Sequence, residues 1–156
     1  AVNPMRVGLP HQFGWSLGYH SRYQAGEAVP YGIVPFFTQV LKHDLRTGGL
    51  IKYDLRTGSS DGFPEGRLVC NDLVMVPEGG EGANEDAGSV LLLVHDLEAG
   101  TAELRALDAR TLELQCAAEL PVRVPLGFHC SFTAAATLEK TSEDVVSTSH
   151  SSAGKA

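Results

Sequence analysis

At 156 residues the chain has the length of one ordinary domain, and 43% of it is hydrophobic, which supplies a core and sets it apart from disordered chains. Its formal net charge of −7 removes the basic footprint that nucleic-acid binding requires. Cys70, Cys116 and Cys130 form neither a metal-type CxxC pair nor a disulfide framework, which points to a reducing compartment, and no apolar run reaches the roughly 20 residues of a membrane span.

The chain opens Ala1-Val-Asn-Pro, without a methionine or a signal-peptide pattern, as a polypeptide cut from a longer one would. Residues 1–30 read as an irregular connection. A short repeat follows. His43-Asp-Leu-Arg-Thr-Gly48 recurs as Tyr53-Asp-Leu-Arg-Thr-Gly58, as His95-Asp-Leu-Glu-Ala-Gly100, and loosely as Leu107-Asp-Ala-Arg-Thr-Leu112. An Asp carboxylate accepts from backbone amides in a turn, and a late Gly supplies the positive φ of a bulged hairpin. The repeat predicts turns between strands at 32–40, 49–53, 67–76, 89–95, 102–108 and 113–120. It also places His43 and His95 in turns.

That spacing predicts an all-β chain built as an antiparallel meander, a pattern shared by sandwiches, barrels and propeller blades. Short strands favour blades, and so does the unalternating run Ser89-Val-Leu-Leu-Leu-Val94, which suits a strand covered on both faces. At about 40–45 residues per blade, residues 30–136 hold roughly two blades and part of a third. Such blades bury their faces against neighbours and are poorly stable alone. Between two of the strands, Gly79-Gly-Glu-Gly-Ala-Asn-Glu-Asp-Ala-Gly88 reads as a solvated acidic loop, its carboxylates too irregular for an EF-hand. Residues 137–156 are rich in Ser and Thr and read as a disordered tail.

Chemistry is sparse. His129 closes the stretch Leu120-Pro-Val-Arg-Val-Pro-Leu-Gly-Phe-His129-Cys-Ser-Phe132, and by itself is a core histidine or a single metal ligand. The other histidines, His11, His20, His43, His95 and His150, show no HxH, HxxxH or HExxH spacing. Cys130 beside His129 does not make a Cys–His pair on a strand, where neighbours point to opposite faces. No Ser sits in a G-x-S-x-G elbow. Trp15, Phe36, Phe37, Phe63 and Phe132 are either core residues or the lining of a substrate passage.

Taken in order, several segments resemble the C-terminal end of the carotenoid cleavage oxygenases, the family of apocarotenoid and lignostilbene dioxygenases and the retinal pigment epithelium isomerase. They are Leu9-Pro10, Gly18-Tyr-His-Ser-Arg-Tyr23, Lys52-Tyr-Asp-Leu-Arg-Thr-Gly58, Asp72-Leu-Val-Met-Val-Pro77 with Glu85-Asp-Ala-Gly88, Ala102-Glu-Leu-Arg-Ala-Leu-Asp-Ala109, and the His129 stretch. The resemblance implies the C-terminal two to three blades of a seven-bladed β-propeller over residues 1–136, followed by the disordered tail.

It implies one Fe2+ per full-length chain, held by four histidines of which His129 is the last, the other three lying upstream. Neutral imidazoles leave the iron its positive charge. Dioxygen is then added across a conjugated C=C bond of a carotenoid, apocarotenoid or stilbene. Asp72 stands where the family places a glutamate that orients a ligand imidazole, an outer-shell role. Peripheral membrane contact through missing parts is compatible with the resemblance, as are plastid and cytoplasm.

Three departures mark this chain. Gly8 replaces an expected glutamate. Asp72 is one methylene shorter than Glu and is expected to reach its histidine only through a water. Cys130 follows the ligand where Gly is usual. These departures motivate the alternative of a truncated or degenerate, non-catalytic propeller relative; an unrelated β-sandwich that binds a partner is the third reading.

Overall fold

The structure is a computed structural model that describes residues 1–18, 37–55, 68–80, 82–125, 127 and 129–134. A three-residue 3-10 helix, Pro4–Arg6, leads into seven strands: β1 (Phe13–Gly18), β2 (Gln39–Asp44), β3 (Leu50–Asp54), β4 (Leu68–Pro77), β5 (Gly88–Asp96), β6 (Thr101–Asp108) and β7 (Leu114–Glu119). They form two antiparallel meanders, β1-β2-β3 and β4-β5-β6-β7.

The turn repeat works as its chemistry requires. Asp44 Oδ1 accepts from the amides of Arg46 (2.9 Å) and Thr47 (3.2 Å). Asp96 Oδ1 accepts from Glu98 and Ala99, and Asp108 Oδ1 from Arg110 and Thr111, all at 2.8 Å. Gly48 and Gly100 close their turns at φ +74° and +72°. The loose copy has no glycine, so Leu112 adopts φ +60° instead, and it does so while 2% exposed in the core. A left-handed leucine is costly. Burial of its side chain against the core is what offsets that cost.

Three expectations from the sequence are corrected here. The segment read as irregular connection contains β1, which was hidden because Phe13-Gly-Trp-Ser-Leu-Gly18 mixes glycines into its alternation. His43 and His95 lie in β2 and β5 rather than in turns, because each strand continues to the Asp that opens the turn. The acidic loop is not solvated throughout. Its second half, from Glu85 to Gly88, is built into the contact between the sheets. The tail and most of the strand expected at 32–40 lie outside the described residues.

One face of each sheet packs on the other. Directly opposite residues share a face, so Trp15, Val40 and Tyr53 of β1–β3 meet Leu73, Met75, Val90, Leu92, Val94 and Leu107 of β4–β7 in one buried cluster. On the far face of the second sheet, Leu91, Ala106 and Leu93 are half-buried and Leu104 is exposed. Among the described residues, the apolar run in β5 is therefore packed against the other sheet on one side only.

Polar groups lock the two sheets together. Lys42 and Asp86, 4% and 9% exposed, pair at 2.7 Å, and the same ammonium donates to the Arg110 carbonyl (2.9 Å) and sits 4.3 Å from the Phe13 ring centre. Glu85 accepts from the amides of Gln12 (2.8 Å) and Phe13 (2.7 Å), anchoring the start of β1. Trp15 Nε1 donates to Ala109 O (3.0 Å), and Arg105 of β6 reaches Tyr53 Oη and the Leu55 carbonyl. Gly88 sits at φ +137°, where a Cβ would lie 2.2 Å from Val76 O. Only glycine fits there.

Candidate functional site

A register shift in β4 between Cys70 and Leu73 leaves Asn71 and Asp72 outside regular pairing with β5. Such a bulge re-aims a side chain. Asp72 uses it to span two segments: Oδ1 accepts from its neighbour Leu73 N (2.8 Å), and Oδ2 accepts from the amide of Cys130 (2.5 Å). His129 is thereby held beside the carboxylate, with Nδ1 3.9 Å from Asp72 Oδ2 and a side chain 94% exposed. That separation is too long for a direct hydrogen bond. The carboxylate thus holds the backbone next to the imidazole rather than the ring itself.

Sequence reading singled out both residues, 57 positions apart, and the fold brings them together. It also separates His129 from any core: the ring is open to solvent, so it is not a packed core histidine in this chain. The remaining described histidines have other company. His43 Nε2 meets Ser16 Oγ at 2.8 Å, His11 Nδ1 lies 3.2 Å from Leu9 O, and His95 is buried. Among the described residues no three His, Cys, Asp or Glu side chains come together. A metal bound through His129 would draw its other ligands from outside these residues. At 3.9 Å the pair does not itself make the imidazole-to-carboxylate hydrogen bond that commonly orients a metal-bound histidine.

Cys130 is exposed, and burial of its sulfur, followed by the Asp72 charge, raises its thiol pKa. That is the reverse of an activated nucleophile. Gly8, where a glutamate is expected from the resemblance, lies at φ +78° with nothing within 4 Å of a built Cβ. A glutamate would have room there but would be strained. Of the aromatic residues considered for a substrate passage, Trp15 is in the core, Phe37 packs against it, and Phe132 is 52% exposed. Phe36 and Phe63 lie outside the described residues. Sequence reasoning missed the Lys42–Asp86 pair and the anchoring of β1 by Glu85, because nothing in the spacing of single charges reveals which strands will face each other.

The family model described as "Retinal pigment epithelial membrane protein" matches residues 1–134. Among curated proteins, a carotenoid 9,10(9',10')-cleavage dioxygenase of Crocus sativus is 31% identical over 123 residues, covering 68% of this chain and 22% of the relative. A carotenoid cleavage oxygenase of Mycobacterium tuberculosis is 29% identical over 130 residues, covering 82% and 23%. In structure, a variant of Synechocystis apocarotenoid oxygenase superposes with TM-score 0.62 at 24% identity, covering 82% of this chain and 23% of that one. The lignostilbene dioxygenase of Pseudomonas brassicacearum gives 0.59 at 20%, covering 82% and 25%. The chain thus spans about a quarter of the length of the relatives it matches, and it shares their all-β fold.

Proposed function

This chain belongs to the retinal pigment epithelial membrane protein family, and from that membership we propose that it is the C-terminal part of a non-haem Fe(II) dioxygenase. Its substrate is an apolar polyene or stilbene: a carotenoid, an apocarotenoid or a related compound with a conjugated C=C bond. The observation that carries the reading is the meeting of His129 with Asp72 at the end of the most specific sequence stretch. His129 would supply one imidazole to the iron, which, when bound, provides the chemistry that activates dioxygen for cleavage of the double bond.

The roles of this chain's own residues follow from their contacts. Asp72 accepts the Cys130 amide and so fixes the backbone from which the His129 ring projects. Its carboxylate stands 3.9 Å from Nδ1, beside the ring but beyond direct hydrogen-bond reach. The bulge at Asn71 and Asp72 lets one strand serve both the core and this site. The interlocked sheets supply the rigid frame that a ligand at the end of a strand requires.

The test uses the full-length polypeptide. His129→Ala is expected to lose bound iron, measured by elemental analysis, while leaving the melting temperature within about 2 °C, because the exposed ring contributes little to packing. Unchanged iron content would overturn the assignment. A second reading, a non-catalytic relative, is favoured by Gly8: its φ of +78° suits the glycine present and leaves no carboxylate at that place. A correctly folded full-length protein without iron and without cleavage activity would establish that reading.

A further inference from the structure

The two sheets end in the outer strands β1, β3, β4 and β7, and the first three are shielded. At β1 the amides of Gln12 and Phe13 donate to the Glu85 carboxylate, and the Trp15 amide donates to Ala1 O (2.8 Å). At β4, Cys70 and Phe37 exchange backbone hydrogen bonds of 2.9 and 3.0 Å. β3 carries exposed Lys52, and a lysine on an edge discourages pairing with another chain. β7 has none of these guards. Its residues, Leu114-Gln-Cys-Ala-Ala-Glu119, are all exposed and include no lysine, arginine or proline.

Backbone geometry defines the open part of that edge. The Leu120 amide donates inward to Ala102 O (2.9 Å). Backbone groups along an antiparallel strand point to its two sides in turn. Those of Ala118 and Cys116 therefore also point to β6, while the N–H and C=O of Ala117 and Glu119 point away from it. These outward groups have no hydrogen-bond partner among the described residues. The open stretch is bounded at both ends. A register shift leaves Gln115 without a residue opposite it on β6, which bends the strand there, and Pro121 has no N–H to donate. The stretch from Cys116 to Leu120 remains, and its middle residue is Ala118.

We propose that this edge pairs with the same edge of a second copy of the chain, antiparallel and centred on Ala118. A two-fold axis through Ala118 makes the contact self-complementary and closed. It sets Cys116 opposite the second copy's Leu120 and Ala117 opposite the second copy's Glu119. Ala117 and Glu119 then exchange both of their outward hydrogen bonds, twice over by symmetry. On the face that carries Leu104 and Ala106 the seam is apolar throughout, made of Cys116, Ala118 and Leu120. Other registers fail on the page. Centred on Glu119, two carboxylates would face each other, and like charges directly opposite destabilise a sheet. Centred on Leu120, Glu119 would meet Pro121, which cannot donate. Centred on Cys116 or Ala117, the pairing would take in the bulge at Gln115. The inference is independent of the iron assignment.

Sedimentation equilibrium of the full-length polypeptide tests the pairing, and a reversible monomer–dimer equilibrium is expected. Ala117→Pro should weaken dimerisation by at least about tenfold, because each copy loses one donor at the seam. Its circular dichroism and melting temperature should stay those of the unaltered protein, since the Ala117 N–H takes no part in the ladder with β6 and proline is tolerated at such edge positions. Leu120→Cys reads the register. Directly opposed residues lie within disulfide reach, so oxidation should give a dimer joined between Cys116 and the introduced thiol, identified by peptide mapping. A protein that stays monomeric at about 0.1 mM overturns the proposal. So does a dimer that Ala117→Pro leaves intact, or an oxidised Leu120→Cys protein joined elsewhere. Should Ala117→Pro fail to fold, the disulfide result alone decides. A monomer whose Ala117 and Glu119 amides are protected from hydrogen exchange shows that another part of the polypeptide holds this edge, and also overturns it.

Discussion

Replacing Asp86 by asparagine removes the carboxylate that faces a buried ammonium. Lys42 is 4% exposed, and its other partners among the described residues are the Arg110 carbonyl at 2.9 Å and the rings of Phe13 at 4.3 Å and Trp15 at 6.0 Å. None of these is an anion. Breaking a buried ion pair from one side costs about 3–5 kcal/mol, because the remaining charge stays desolvated. The second cation near Asp86, Arg110, is 3.8 Å away and 57% exposed, so it adds little. With a urea m-value of about 2 kcal/mol per molar for a small domain, the unfolding midpoint of Asp86→Asn should drop by about 1.5–2.5 M. The pair Lys42→Met with Asp86→Leu removes both charges and should recover most of that loss, since apolar replacements of buried pairs are often neutral. A midpoint shift below about 0.5 M for Asp86→Asn, or a double variant as unstable as the single one, would refute the view that this pair is a buried, mutually dependent lock between the sheets.

Other substitutions probe the backbone and the thiols. Gly88→Ala should destabilise the β4–β5 hairpin by more than about 3 kcal/mol, because the new Cβ would meet Val76 O at 2.2 Å; circular dichroism in a thermal melt reads the loss. Leu112→Gly relieves a left-handed backbone worth about 1–2 kcal/mol but empties a buried leucine site worth about 2–5, so a net loss centred on about 2 kcal/mol is expected in urea titration. A gain would show that the strain outweighs the packing. Among the cysteines, burial pushes the Cys70 thiol up to about 12, and burial together with Asp72 raises Cys130. At pH 8 a disulfide reagent should therefore label exposed Cys116 first, Cys130 more slowly and Cys70 only on unfolding. Rapid labelling of all three in the folded protein would refute the burial of Cys70.

Local chemistry was legible in the sequence wherever the chain decides it alone. The Asp-led turns follow from the reach of a carboxylate to amides two and three residues on, and Asp44, Asp96 and Asp108 all use it. The meander, the glycines that close the turns at Gly48 and Gly100 and the ordered motifs ending at His129 are likewise properties of neighbours along the chain. What the tertiary structure decided concerns residues far apart in sequence. Asp86 looked like a solvated loop acid until β2 placed Lys42 against it. Glu85 became the anchor of a strand 72 residues earlier, and Leu112 took a backbone meant for glycine because the core rewards its side chain. His95, placed in a turn by pattern alone, lies instead in β5 and is buried there. Pattern fixes conformation over a few residues, whereas the dielectric around a charge depends on which sheet faces which, and that is set only when the sheets pack.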